Sequence, residues 1–224
     1  MKFDKRPPWR ALVFDAYGTL FNVHAAVQAH AAALGPAAQS LSDTWRAKQL
    51  EYSWVRGLCG QWRDFWSLTG EALDFALAKH PQIDRNHREA LLAAYETLDA
   101  YPEVHAVLTA LRAQGVSLGI LSNGSRSMLG KAVSAAQLQP LLDGVWSVDE
   151  VRQFKTAPAV YELARQALGI AASEMAMVSS NRWDIAGAKA FGMQAIWINR
   201  TAQPDEYLDL QPDATISDLR ALLG

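Results

Sequence analysis

The sequence predicts an α/β protein: a parallel β-sheet wrapped on both faces by helices, with an all-helical insert directly after the first strand. Three observations predict it. From Pro102 onward, short apolar runs alternate with helical patterns, as successive βαβ units require. The early run Ala11, Leu12, Val13, Phe14 has no polar residue alternating with it, the mark of a strand buried on both faces. Between the two, residues 22–98 carry helical periodicity and hardly any β-branched run.

The elements follow in order. Residues 1–10 are charged, carry Pro7 and Pro8, and read as a lead-in to the strand that stops at Asp15. Gly18 and Thr19 then supply a tight turn and a hydroxyl. Helices are predicted over 24–34, ending at Gly35; about 42–59, with Ser40 or Ser42 as N-cap; about 63–79, ending before Pro81; and about 84–98. PEVHAVLTALRAQ is a helix with Pro102 near its first turn and Gly115 past its end, and VSLGILSNG is a strand ending in a polar turn. A helix over 126–138, a short strand at VWSV and a helix from Pro158 to Leu168 closed by Gly169 come next. MAMVSSN is a strand, AGAKAFG lies on a helix, MQAIWIN is a strand, and ATISDLRALLG gives strand then helix.

Composition bounds the function. The 224 residues, 50% hydrophobic and 20% charged, describe an ordinary globule with ample apolar material for a core. A net charge of -2 argues against nucleic acid, whose binders carry a basic surplus. The single cysteine, Cys59, excludes an internal disulfide and is expected in the core. No apolar run is long enough to cross a bilayer, and with no secretory h-region after the first ten residues a cytoplasmic setting is expected.

A parallel sheet places its strand C-termini along one edge, so polar groups far apart in sequence can converge there. The strand ends are Asp15 with Thr19, Ser122 with Asn123, and Ser179 with Ser180 and Asn181. Lys155 precedes a helix between the second and third; beside Asp15, its cation would keep a carboxylate ionised as a nucleophile. Asp184 falls in the first turn of the next helix, where the dipole alone favours negative charge, or serves as a second carboxylate that orients Lys155 or activates water. In TWRAKQLEYSWVRGL, Arg46, Leu50, Trp54 and Leu58 fall on one helical stripe. Arg46 either snorkels to the surface or clamps an anion over the strand ends.

Together these motifs make the sequence similar to the haloacid dehalogenase superfamily, and within it to the type II L-2-haloacid dehalogenases. The resemblance rests on FDAYGTLFNVH, WRAKQLEYSW, ILSNGS, Lys155, and VSSNRWDIAGAKAFG followed by WINR. It implies a Rossmann-like three-layer α/β/α core over residues 1–20 and 99–224, and a helical cap over 21–98. It further implies Asp15 as nucleophile, Arg46 and Asn123 as receptors of the departing halide, and Ser122 with nearby backbone as the seat of the substrate carboxylate. Thr19, Lys155, Tyr161, Ser179, Asn181 and Asp184 would support the nucleophile and the hydrolytic water. Tyr17, Leu50, Phe65 and Trp183 would line an apolar pocket around the substrate carbon. A small 2-haloacid is the implied substrate and a homodimer the implied assembly, with Trp45, Tyr52 and Trp54 as interface candidates.

Most of the superfamily are phosphatases, which resemble one another in a second Asp two places after the nucleophile. Here that position is Tyr17. An alkoxide leaves badly without a proton, whereas chloride or bromide leaves as a stable anion, so the missing acid fits carbon–halogen cleavage. VSSN places no carboxylate at its strand end, and Mg²⁺ wants several, so neither metal nor cofactor is expected. A reduced phosphatase, or a binding protein that kept the fold without the chemistry, is the alternative. Three positions depart from the pattern: Thr156 stands where proline is usual, Asn22 where Asp is common, and Ala16 is smaller than the usual Leu.

Overall fold

The computed structural model describes residues 9–224; the first eight residues of the expected lead-in lie outside the described residues. Six parallel strands form one sheet in the order β3-β2-β1-β4-β5-β6, in which β1 is Ala11–Phe14, β2 Ser117–Ser122, β3 Gly144–Ser147, β4 Met175–Ser179, β5 Gln194–Ile198 and β6 Ala214–Ile216. This is the doubly wound strand order. The chain reverses direction at β1, and ligand crevices form outside the strand ends at such a reversal. All four β1 residues are fully buried, as their unbroken apolar character requires.

Register fixes the site. Phe14 pairs with Ile120 on β2 and Val178 on β4, so Asp15 emerges level with Leu121, one residue short of the end of β2, and with Ser179, the last residue of β4. Its amide donates to the Val178 carbonyl at 2.9 Å, holding the backbone on the ladder one residue past the strand. The connecting helices are α6 (Val104–Ala113), α7 (Arg126–Ala135), α8 (Pro158–Leu168) and α9 (Arg182–Phe191). Pro158 starts α8 with its missing N–H where none is needed, and Gly169 ends it in the left-handed conformation.

Between β1 and α6 the chain is mainly helical, with α1 (Ala25–Ala29), α2 (Ala31–Leu34), α3 (Ala38–Leu58), α4 (Phe65–Lys79) and α5 (Arg88–Glu96). The chain leaves and returns side by side, with Tyr101 N donating to Leu20 O at 2.9 Å and Asn22 N to Asp99 O at 3.1 Å. Asp64 caps α4 by accepting from Ser67 N.

Local boundaries differ from the sequence expectation for identifiable reasons. The first insert helix is interrupted at His30. Helix α3 starts at Ala38, earlier than its serines suggest, because a 3₁₀ turn at Gly35–Ala37 containing Pro36 runs straight into it. Ser42 is buried inside that helix and bonded to His24 Nδ1 at 2.7 Å, so its hydroxyl caps nothing. Helix α7 ends at Ala135, short of 138, and the final helix is a 3₁₀ turn, Leu219–Leu223. Cys59 is exposed, not core: α3 ends one residue before it, and Gly60, with positive φ, turns the chain away. Leu58 is 89% exposed, so the stripe faces solvent at that end. Trp45, by contrast, is core, its indole donating to Thr69 O at 2.8 Å, which removes it from any interface.

Candidate active site

The turn after β1 is built by glycine. Gly18 has φ +93°, a region costly for residues with a Cβ, and a Cβ there would sit 3.0 Å from Ser180 Oγ. This close approach lets Thr19 reach two ways. Its Oγ1 lies 3.1 Å from Asp15 Oδ2 and 3.3 Å from Ser180 Oγ, while accepting from Ser180 N at 2.9 Å. Asn181 Nδ2 donates to the same Asp15 Oδ2 at 2.9 Å.

The other Asp15 oxygen faces Lys155, whose Nζ lies 3.2 Å from Asp15 Oδ1 and 2.8 Å from Asp184 Oδ2. Lys155 and Asp184 are fully buried and Asp15 is 5% exposed, so three charges share a space without bulk water. Tyr161 Oη donates to Asp184 Oδ1 at 2.9 Å. It reaches there past Gly187, where a Cβ would lie 2.3 Å from the phenol oxygen. Burial drives the Asp184 carboxyl above the ordinary carboxylate value, opposed by the Lys155 cation and reinforced by Asp15. Burial, then the Asp184 charge, likewise pushes the Tyr161 phenol well above 10, so it stays a donor.

Opposite this cluster lies a narrow cavity with about 10 Å³ of open space, room for about one water. It is lined by Asp15, Tyr17, Ser122, Asn123, Asn181 and Trp183 from the sheet side, and by Arg46, Leu50 and Phe65 from α3 and α4. Asn123 Oδ1 accepts from Lys155 N at 2.9 Å, which leaves its buried Nδ2 without a partner. Arg46 donates through Nη2 to Tyr17 O at 3.3 Å. An unpartnered amide donor and a guanidinium on one apolar cavity are suited to an anion.

Of the remaining sequence candidates, Ser122 Oγ accepts from Gly124 N at 3.1 Å and Ser179 Oγ from Asn181 N at 3.1 Å, both serving the strand-end turns. Ser179, Thr19, Tyr161 and Lys155 stand behind Asp15, outside the cavity lining. The Lys155–Thr156 peptide is cis, at the position where proline is usual. Among the described residues no three or more His, Cys, Asp or Glu side chains gather to hold a metal ion.

Two supporting residues had only faint sequence signals. Tyr95 of α5 stacks on Tyr17 with ring centroids 5.7 Å apart, and only helical periodicity marks it. Arg200 ends the WINR stretch; it donates to Thr19 O at 3.1 Å, pairs with Glu103 at 2.7 Å and lies over the Tyr101 ring. Its place just past β5, at another strand end, was the usable sign.

The haloacid dehalogenase-like hydrolase family matches residues 9–192. The chain is 49% identical over 201 residues to (S)-2-haloacid dehalogenase 1 of Pseudomonas sp. (strain CBS-3), covering 89% of this chain and 88% of that one. It is 45% identical over 199 residues to (S)-2-haloacid dehalogenase 4A of Burkholderia cepacia, covering 88% and 86%. The crystal structure of L-2-haloacid dehalogenase from Xanthobacter autotrophicus with chloropropionic acid covalently bound superimposes with a TM-score of 0.86 at 35% identity, covering 96% of this chain and 97% of that one. With a doubly wound sheet, a carboxylate at its central strand end and matches across most of its length, the chain belongs to the haloacid dehalogenase-like hydrolase family.

Proposed function

We propose that the protein hydrolyses short L-2-haloalkanoic acids to D-2-hydroxyalkanoic acids and halide through an ester on Asp15. The observation that carries this reading is the pairing of a lysine-held carboxylate with an anion-receptive apolar cavity directly in front of it. The relatives named above, one with chloropropionic acid covalently bound, support it.

In the first half-reaction an Asp15 oxygen attacks C2 from behind the halogen. The C–O bond forms as the carbon–halogen bond breaks, the configuration inverts, and the halogen departs with the bonding pair toward Arg46 and the free Asn123 amide. Ser122 and neighbouring backbone hold the substrate carboxylate. Leu50, Phe65, Tyr17 and Trp183 enclose the carbon chain. Fixing the carboxylate in line is worth effective molarities of roughly 10⁵–10⁸ M in favourable systems. In the second half, water adds to the Asp15 acyl carbon, the bond from that carbon to the ester oxygen breaks while the bond from the ester oxygen to C2 stays intact, and one proton of the water goes to the departing alkoxide. Lys155, Asn181 and Thr19 face the Asp15 oxygens where charge builds up, and Asp184 orients the lysine.

The Lys155 ammonium lies between Asp15 and Asp184, so a side-chain cation already balances these two carboxylates. In this reading residues 21–98 form a cap over the strand ends, the exposed side of α3 around Trp54 belongs to a homodimer interface, and the setting is cytoplasmic.

The test is incubation with L-2-chloropropionate and with a generic phosphate ester, each with and without EDTA, followed by single turnover in H₂¹⁸O. Halide release insensitive to EDTA, with ¹⁸O appearing in the peptide containing Asp15, is the expected result. EDTA-sensitive phosphate release in place of halide overturns it, as does label confined to the product.

A further inference from the structure

Ester hydrolysis regenerates a carboxyl group and an alcohol, and the overall conversion releases one proton for every halide. The halide can leave as it came, toward Arg46. The proton is a separate problem, because a protonated Asp15 cannot attack the next substrate and the cavity in front of it holds little more than one water. The neighbouring carboxylate Asp184 is fully buried and offers no outlet.

A second cavity, about 340 Å³, lies on the other side of the β4–α9 turn and opens to solvent. Asn181 and Trp183 line both cavities and so form the partition between them, and Ser180 lines the outer one alone. Ser180 is half-buried, with its Oγ 3.3 Å from Thr19 Oγ1, which is itself 3.1 Å from Asp15 Oδ2. Trp197 Nε1 fixes the turn by donating to Ser180 O at 3.2 Å. Two hydroxyls therefore connect the nucleophile to the outer cavity.

We infer that Ser180, acting through Thr19, conducts the product proton from Asp15 to water in the outer cavity. The inference rests on the dehalogenase reading. The newly formed Asp15 carboxylic acid gives its proton from Oδ2 to Thr19 Oγ1. Thr19 passes its own hydroxyl proton to Ser180 Oγ, and Ser180 passes its own to a cavity water. Each hydroxyl ends with one proton and Asp15 ends as a carboxylate. Ser180 touches no reacting atom and so is not a catalytic residue. Its role also explains a hydroxyl at a position where the turn itself uses only backbone groups, Ser180 N and Ser180 O.

Ser180→Ala removes this hydroxyl and leaves both turn contacts in place. The experiment is rapid-quench halide release with L-2-chloropropionate, compared with steady-state turnover, in H₂O and D₂O, for wild type, Ser180→Ala and Ser180→Thr. The expected result has three parts: a first-turnover halide burst in Ser180→Ala at the wild-type rate, steady-state kcat lowered about 5- to 20-fold with a changed solvent isotope effect, and recovery in Ser180→Thr. An unchanged kcat and isotope effect in Ser180→Ala overturns the relay. So does an equal loss in burst and steady state, which would mark a merely structural residue. Absence of halide from the wild type would instead overturn the dehalogenase reading.

Discussion

The two walls of the inner cavity are built on different principles. On the sheet side both carboxylates have partners on both oxygens: Lys155, Thr19 and Asn181 on Asp15, and Lys155 and Tyr161 on Asp184. On the helix side Arg46 donates to Tyr17 O at 3.3 Å and meets the Tyr95 hydroxyl, and Leu50 and Phe65 contribute apolar surface. The difference teaches where each property resides. In the proposed mechanism, charge on Asp15 is set by a buried ion network at the strand ends, whereas substrate size and leaving-group reception are set by a wall of one guanidinium and apolar side chains.

The largest break in this contrast comes from Lys155→Met. It strands two carboxylates without their cation, and removing one partner of a buried ion pair costs about 3–5 kcal/mol. Activity is expected to fall about 10³-fold or more, with a drop of roughly 10–15 °C in Tm, read by halide assay and thermal unfolding. Arg46→Ala tests the opposite wall. Its loss should be confined to function: about 10³-fold in kcat for lost stabilisation of the departing anion, with stability within about 0.5 kcal/mol of wild type. A large fall in Tm here would abolish the distinction between the walls.

Asp184→Asn gives the smallest and most telling effect. Burial raises the Asp184 carboxyl, so the folded chain binds that proton more tightly than the unfolded chain does. Its contribution to stability is present below the unfolded value of about 4 and is lost as pH rises through the raised folded value. Asparagine has no such loss and can still accept from Lys155 and meet Tyr161. The variant is expected to match wild type near pH 4 and to unfold about 2–4 °C higher at pH 7, while losing about 10²-fold in activity. Thermal melts at the two pH values decide it; a variant less stable at pH 7 would show that the ionised carboxylate holds the network together.

Legibility in the sequence followed the same division. Strand ends were readable because an apolar run stopping at Asp15, Ser122 or Ser179 marks a sheet edge locally, and topology then brings the ends together. The helical side was harder. Arg46, Leu50, Trp54 and Leu58 share a stripe by periodicity, yet α3 turns that stripe from the cavity at one end to open solvent at the other, which spacing cannot express. Ser42 looks like a cap until His24 claims its hydroxyl, and Cys59 looks apolar until Gly60 turns the chain outward. Tyr95 reaches Tyr17 across 78 positions of chain, a contact no local pattern announces.

The ion cluster joins residues 15, 155 and 184, with Asp15 on a strand held between β2 and β4. During synthesis the first strand therefore leaves the ribosome long before β4 exists to flank it, and its carboxylate meets its cation only after some 140 further residues have emerged. Long-range pairing of this kind is slow. On the proposed mechanism, the nucleophilic form of Asp15 is thus withheld from the nascent chain until maturation of the sheet is all but finished, so premature encounter with an electrophile finds an ordinary hydrated aspartate.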